Sequence, residues 1–411
     1  MRARPLPSST SWTCSIARIR PTTGESPLTD ATALLFQIAV IFVAAKVSSE
    51  LAIRLGGVAL VGEILAGAIL GPHGLGIIQE NQLVEGLAEL GVVVLLFAVG
   101  LETEWHQLRD VGGRGMVVGS VGIVLPFVGG AALAALTGHD SITALFVGTA
   151  LVATSVGITA RVLEEQGLLR QRESLIILAA AVVDDVLGLL VLAVVTSVGS
   201  GALDPLRIVI LLIETAIFVA IPITIGRIGF RQHGRRTQLL RIPHGALSVA
   251  LVICLILAVL AGSIGLAAIV GAYLAGLVVA ELSDELELKR DLSPIRALLI
   301  PFFFVLTGAR FDMGSMLEPG ALLLGVALTT IAILTKLVGC GLAMWGTSLR
   351  SAVRVGVGMV PRGEVGLVVA SLGLAAGVID GALYGAVLMM VAVTTLAAPL
   401  LLAPAYRFRA R

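Results

Sequence analysis

Thirteen stretches of roughly 20 apolar residues follow one another along the chain, near residues 31–53, 57–72, 83–101, 112–136, 142–163, 172–199, 206–226, 243–263, 264–283, 292–312, 318–345, 350–376 and 380–404. Each is about the length that carries a helix across the ~30 Å hydrocarbon layer of a bilayer. The second and ninth are short, and the break from Gly262 to Gly265 is the least marked. A chain in lipid must satisfy its backbone hydrogen bonds internally, so such a series folds as a helix bundle. The expected class is an all-α polytopic membrane protein with about 13 transmembrane helices.

Composition excludes the alternatives. Of the 411 residues, 57% are hydrophobic and 13% charged, where soluble domains carry about 25% charged residues. The 48 glycines against 4% aromatics suit close helix packing in a membrane. Lys plus Arg (28) against Asp plus Glu (27) leaves +1, so no nucleic-acid surface is expected. Cys14, Cys254 and Cys340 share no short spacing, which excludes a disulfide framework or thiolate metal site. No cofactor is expected.

Basic residues give the orientation, because cytoplasmic loops retain positive charge. Loops after odd-numbered spans, with the C-terminus, hold 19 Lys and Arg, while loops after even-numbered spans hold two, Arg207 and Arg310. The N-terminus is therefore expected outside and the C-terminus in the cytoplasm. Residues 1–30 carry Arg2, Arg4, Arg18 and Arg20 against this trend and read as a disordered tail or an over-long start. The basic run from Arg227 to Arg241 reads as a topology anchor rather than a lipid-binding patch.

Three cations remain inside spans: Lys46, Lys336 and Arg362. Lys46 and Glu50 have the i,i+4 spacing of an interfacial ion pair. Glu63 and Glu214 are isolated acids to which a structural or interface role is assigned. Span six carries Asp184 and Asp185 near its middle. Adjacent helical residues point about 100° apart, so the two cannot share one partner. One can be neutralised by a neighbouring cation while the other faces a cavity and exchanges a proton for a metal ion. At ~1.5 Å per residue, Asp184 lies about 18 Å and Lys336 about 14 Å from the cytoplasmic ends of their spans, at one level. Thr154, Ser155 and Pro361 to Glu364 fall at similar depth.

Span five contains Thr154-Ser-Val-Gly157-Ile-Thr159, and span twelve Gly356-Val-Gly-Met-Val-Pro361-Arg-Gly-Glu-Val-Gly366. Glycine mixed with polar residues in mid-membrane predicts two locally unwound helices. They are seven crossings apart, so they run in opposite directions. That is the pattern of an inverted repeat with a midplane ion site, spans one to six and eight to thirteen being the repeats and 206–226 the linker helix. Arg362 and Glu364 then either compensate half-helix dipoles or gate the site. The chain uses only three lysines among its 28 basic residues, yet span eleven has one. An ammonium can release its proton on desolvation, which a guanidinium cannot.

In order along the chain, Gly62-Glu-Ile-Leu-Ala-Gly-Ala-Ile-Leu-Gly71-Pro72, Leu95-Leu-Phe97-Ala-Val-Gly-Leu101-Glu102, Ala153-Thr-Ser-Val-Gly-Ile-Thr-Ala-Arg161, Val182-Val-Asp-Asp-Val-Leu-Gly188, Pro301-Phe-Phe-Phe304 and Pro361-Arg-Gly-Glu-Val-Gly366 resemble the bacterial two-aspartate sodium/proton antiporters of the monovalent cation:proton antiporter-2 family. The resemblance implies a homodimer in the bacterial inner membrane. A dimerisation domain (31–101 and 243–312) would hold a core domain (112–199 and 318–404) that moves like an elevator. It further implies Asp185 as the principal ion-binding carboxylate, Asp184 as its neighbour paired with Lys336, and Thr154, Ser155 and Glu364 as polar surroundings. Kef-type potassium efflux relatives carry a cytosolic nucleotide-binding domain; the chain ends seven residues after its last span, so no nucleotide- or glutathione-linked gating is expected within it.

The expected function is exchange of Na⁺ or Li⁺ for H⁺, electrogenic if Lys336 also gives up a proton. A K⁺/H⁺ antiporter or a gated monovalent cation channel are the alternatives. No enzyme activity is expected: an intramembrane aspartyl protease needs two carboxylates about 3 Å apart at one site, which neighbours on one helix fit badly.

Overall fold

A computed structural model describes residues 27–79, 81–103, 105–199, 205–239 and 242–407. Seventeen α-helices run in the order α1 (Pro27–Arg54), α2 (Ala59–Leu70), α3 (Gln82–Glu102), α4 (Trp105–Leu136), α5 (Ser141–Ala150), α6 (Val156–Glu165), α7 (Arg172–Gly199), α8 (Pro205–Ile221), α9 (Arg227–His233), α10 (Gly245–Ser263), α11 (Ala268–Val279), α12 (Leu288–Ala309), α13 (Met313–Leu317), α14 (Pro319–Ala343), α15 (Leu349–Gly358), α16 (Glu364–Ala375) and α17 (Gly381–Arg407). No strand occurs among the described residues. Nine of the described helical segments are long and apolar enough to cross a membrane, and α2, α5, α11 and α16 belong to shorter apolar segments. The protein is a multi-pass membrane protein.

Helix ends follow from local chemistry. Asn81, Asp140 and Ser348 accept the backbone N–H groups of Val84, Thr143 and Ser351 and so start α3, α5 and α15. Gly138, at φ +89°, closes α4 in a left-handed conformation that a side chain would resist.

Two sets of helices pack mainly among themselves. One comprises α1, α2, α3, α10, α11 and α12; the other comprises α4, α5, α7, α14, α15, α16 and α17. Backbone-to-backbone approach explains much of the glycine. A Cβ at Gly67 or Gly308 would fall on the backbone of the facing helix where α2 crosses α12, and one at Gly100 or Gly276 would do so where α3 crosses α11. Large apolar side chains such as Leu35, Phe36, Val252 and Val259 cover the outer faces of α1 and α10.

Several sequence expectations are corrected. Residues 27–30, assigned to a disordered tail, are the first turn of α1; residues 1–26, with Arg2, Arg4, Cys14, Arg18 and Arg20, lie outside the described residues. Helix α4 begins at Trp105 rather than 112, so Arg109 and Arg114 are helical, and Arg114 donates to the Trp345 carbonyl (3.3 Å). The basic run after span seven is largely α9 and a 3₁₀ segment, Gly234–Leu239; the segment before it, Pro222–Gly226, is a π-helical turn. Lys46 does not pair with Glu50. Its ammonium donates to the Ala297 carbonyl (3.1 Å), and Glu50 takes Arg54 instead (2.7 Å).

Candidate functional site

Two helical spans break in the middle of the bundle. Helix α5 ends at Ala150, the chain leaves helical geometry over 151–155, and α6 resumes at Val156. Helix α15 ends at Gly358 and α16 begins at Glu364 after an irregular stretch over 359–363. The breaks bind each other: the Ser155 N–H donates to the Pro361 carbonyl (2.8 Å), and the Thr159 and Thr154 hydroxyls to the carbonyls of Gly358 (2.7 Å) and Met359 (3.4 Å). Outward from this point Gly366 faces Ala150, Gly373 faces Phe146, and the Thr143 hydroxyl donates to the Val378 carbonyl. Residue numbers fall on one segment as they rise on the other, so the broken spans are antiparallel, as their sequences predict.

Four half-helix ends therefore meet at one place, two carrying free carbonyls and two carrying free N–H groups. Arg362 serves the carbonyl side. Its guanidinium, fully buried, donates to the carbonyls of Met359 (3.2 Å) and Val360 (3.3 Å) beyond the end of α15, and to that of Ala332 on α14 (3.4 Å). The Thr395 hydroxyl donates to the Arg362 carbonyl (2.6 Å), and the Arg362 N–H donates to the Thr394 hydroxyl (3.3 Å). Sequence reasoning did not assign this threonine pair a role, although two adjacent hydroxyls in an apolar helix were a visible signal. The Glu364 side chain lies outside the described residues.

Beside the crossing stands α7. Lys336 Nζ on α14 contacts both carboxylate oxygens of Asp184, at 3.0 and 3.1 Å. An apolar cluster that includes Val118, Ile177, Ala180, Cys340 and Met359 lies alongside. Asp185 takes a different direction. It lines one crevice with Thr154, Ser155 and Gly363 from the two breaks and Ile269 of α11, and a second with Leu96 of α3 and Val270 and Tyr273 of α11. The structure thus brings Asp185, Thr154 and Ser155 together and sets Asp184 with Lys336 apart from them. A monovalent cation or a proton bound at Asp185 would have carboxylate, hydroxyl and freed backbone groups around it.

The other acids lie elsewhere. Glu63 is buried and accepts from the Ser49 hydroxyl (3.1 Å), and Glu214 is exposed on the outer face of α8. A charged cluster that sequence reasoning did not assemble joins α6 to α12: Arg161 pairs with Glu164 (3.5 Å) and Glu165 (2.8 Å), and Glu164 also pairs with Arg296.

A helical membrane protein with two crossed, broken helices and ionisable groups at the crossing is the architecture of a secondary transporter. The chain belongs to the family described as sodium/hydrogen exchanger, transmembrane, whose model matches residues 25–407. It is 35% identical to the Na(+)/H(+)-K(+) antiporter GerN of Bacillus cereus, over 89% of this chain and 94% of that one. It is 34% identical to the high-affinity Na(+)/H(+) antiporter NhaS3 of Synechocystis sp., over 94% and 93%, and 32% identical to a Na(+)/H(+) antiporter of Enterococcus hirae, over 89% and 96%. The structure of the sodium proton antiporter MjNhaP1 from Methanocaldococcus jannaschii superposes with a TM-score of 0.65 over 91% of this chain and 96% of that one, at 15% identity, which establishes a common fold.

Proposed function

We propose that the protein exchanges Na⁺ or Li⁺ for H⁺ at Asp185, as a two-aspartate antiporter of the monovalent cation:proton antiporter-2 type in a bacterial inner membrane. One observation carries this reading: Asp184 commits both oxygens to Lys336, while its neighbour Asp185 lies with Thr154 and Ser155 at the helix crossing. Two carboxylates on one helix have thereby acquired different tasks. Asp185 binds either a proton or a cation, so entry of one expels the other. Arg362 neutralises the carbonyl ends of the half-helices and keeps them from trapping the ion. Lys336 releases a proton when Asp184 or the incoming cation changes its surroundings, which makes exchange electrogenic at two protons per Na⁺.

Thirteen crossings follow when α5 with α6 and α15 with α16 are each counted as one broken span and α2 and α11 as short ones. Crossings one to six and eight to thirteen then form inverted repeats around a linker at 206–226, with the N-terminus outside and the C-terminus inside. The packing sets support a dimerisation domain (31–101 and 243–312) and a core domain (112–199 and 318–404). The walls between them beside Asp185 are apolar, with Leu96, Ile269 and Val270 facing Val156 and Val182. Such a surface suits sliding of the core along a homodimeric scaffold in an elevator motion.

The second reading is K⁺/H⁺ exchange, favoured by the potassium in the name of the GerN relative. Proteoliposomes with an imposed proton gradient and a trapped pH dye decide between them. Addition of Na⁺ or Li⁺ should collapse the gradient at lower concentrations than K⁺; the reverse order supports the second reading. Ion flux without dissipation of the gradient would refute both and indicate a channel.

A further inference from the structure

Tyr273 is one of three tyrosines in the chain and stands on α11, in the wall of the crevice that Asp185 lines. Its side chain is 3% exposed, and its hydroxyl approaches that of Thr103 without a hydrogen bond of good geometry to any described residue. Thr103, beside it at the end of α3, directs its own hydroxyl to the Val99 carbonyl at 2.8 Å. The remaining crevice walls are apolar: Leu96, Val156, Leu178, Val182, Ile269 and Val270. Phenylalanine would fill this space equally well without the desolvation cost of a buried hydroxyl.

The location says what the hydroxyl serves. Leu178, Val182 and Asp185 mark one face of α7, so the crevice extends from Asp185 toward the end of α7 that begins at Arg172. Thr103 follows Glu102, which lies in the field of Arg296, itself paired with Glu164. Tyr273 thus stands between Thr103, at the end of α3 that carries Glu102, and the crevice that Asp185 lines. We infer that the Tyr273 hydroxyl is a positioning and specificity-determining contact for the transported ion: it offers an oxygen to a partly dehydrated monovalent cation, or to its remaining water, on the way to Asp185. The assignment rests on Asp185 as the ion-binding carboxylate. The two groups belong to different packing sets, so the hydroxyl acts only while the crevice holds α11 against α7.

Tyr273→Phe removes the oxygen alone. Exchange should be measured in proteoliposomes over a range of Na⁺ and Li⁺ concentrations, with thermal stability in detergent and with Asp185→Asn in parallel. The expected result is an apparent KM raised about two- to tenfold, the loss of one hydrogen bond, by different factors for the two ions. Maximal rate should stay within about twofold of the parent and thermal stability should be equal or higher. Unchanged KM for both ions overturns the inference, as does loss of rate in step with loss of stability, the mark of a structural tyrosine. Exchange that survives in Asp185→Asn overturns the underlying site assignment; exchange abolished there with a parental Tyr273→Phe overturns the tyrosine's role alone.

Discussion

Both carboxylate oxygens of Asp184 lie within 3.1 Å of Lys336 Nζ, and neither side chain has any exposed surface. A buried pair of this kind contributes little compared with apolar packing, but removing one partner strands the other at about 3–5 kcal/mol. Lys336→Ala should therefore lower the melting temperature of the purified protein sharply. Lys336→Met combined with Asp184→Leu should recover most of the loss. A single variant as stable as the parent would mean that the pair is not held as described. Lys336→Arg keeps the charge and blocks its release; under a clamped potential its exchange should lose or alter its voltage dependence. Unchanged electrogenic exchange would leave lysine a counter-ion only.

The crossing of the broken helices tolerates no added bulk at Gly363, where a Cβ would come within 2.7 Å of the Ser155 Cβ and Oγ. Gly363→Ala should destabilise by about 1–3 kcal/mol, the usual cost of overpacking. Adding Ser155→Gly should restore much of that stability. Denaturation midpoints of the two variants check this, and a single variant with the parental midpoint would contradict so close an approach.

Much of this crossing was legible in the sequence, because glycine mixed with polar residues in mid-membrane, hydroxyls in span five and Arg362 and Glu364 in span twelve, marks helices that unwind around a cavity. Asp184 and Lys336 were matched by depth, since a helix in a bilayer converts residue number into height, by the rarity of lysine in the chain and by the family resemblance. Lateral relationships left no such trace. Glu164 with Arg296 and Asp185 with Tyr273 depend on which faces of separate helices meet, and no spacing within one span records that. Lys46 failed for a similar reason: its spacing to Glu50 allowed a pair, but Lys46 found a carbonyl on α12 and Glu50 took Arg54, four residues away on its other side.

The Glu164–Arg296 pair ties α6 to α12, with side chains only 10% and 20% exposed. If the core slides along the scaffold, this contact holds one position of the cycle. Arg296→Gln should shift the population toward the other position, seen as an altered ratio of cation affinities measured from the two faces of the membrane. The exchange Arg296→Glu with Glu164→Arg should move the ratio back toward the parental value. A single variant with the parental ratio would remove the pair from the transport cycle.

Orientation can be read with single cysteines in a background lacking native ones. A cysteine at Arg235 should react only with reagents that reach the cytoplasm, and one at His139, between α4 and α5, only with reagents outside. The opposite pattern would invert the topology derived from the basic residues.

Asp185→Asn preserves the size of the side chain and removes the charge on which exchange depends. Proton-coupled Na⁺ and Li⁺ exchange should be compared in proteoliposomes across pH for the parent protein and this variant, with both shown to be folded by their melting temperatures. The parent should bind the cation more weakly as the pH falls, because protons compete for the same carboxylate, and the variant should exchange neither ion at any pH. Parental exchange in folded Asp185→Asn, or a cation affinity in the parent that ignores pH, would contradict competition between cation and proton at this residue.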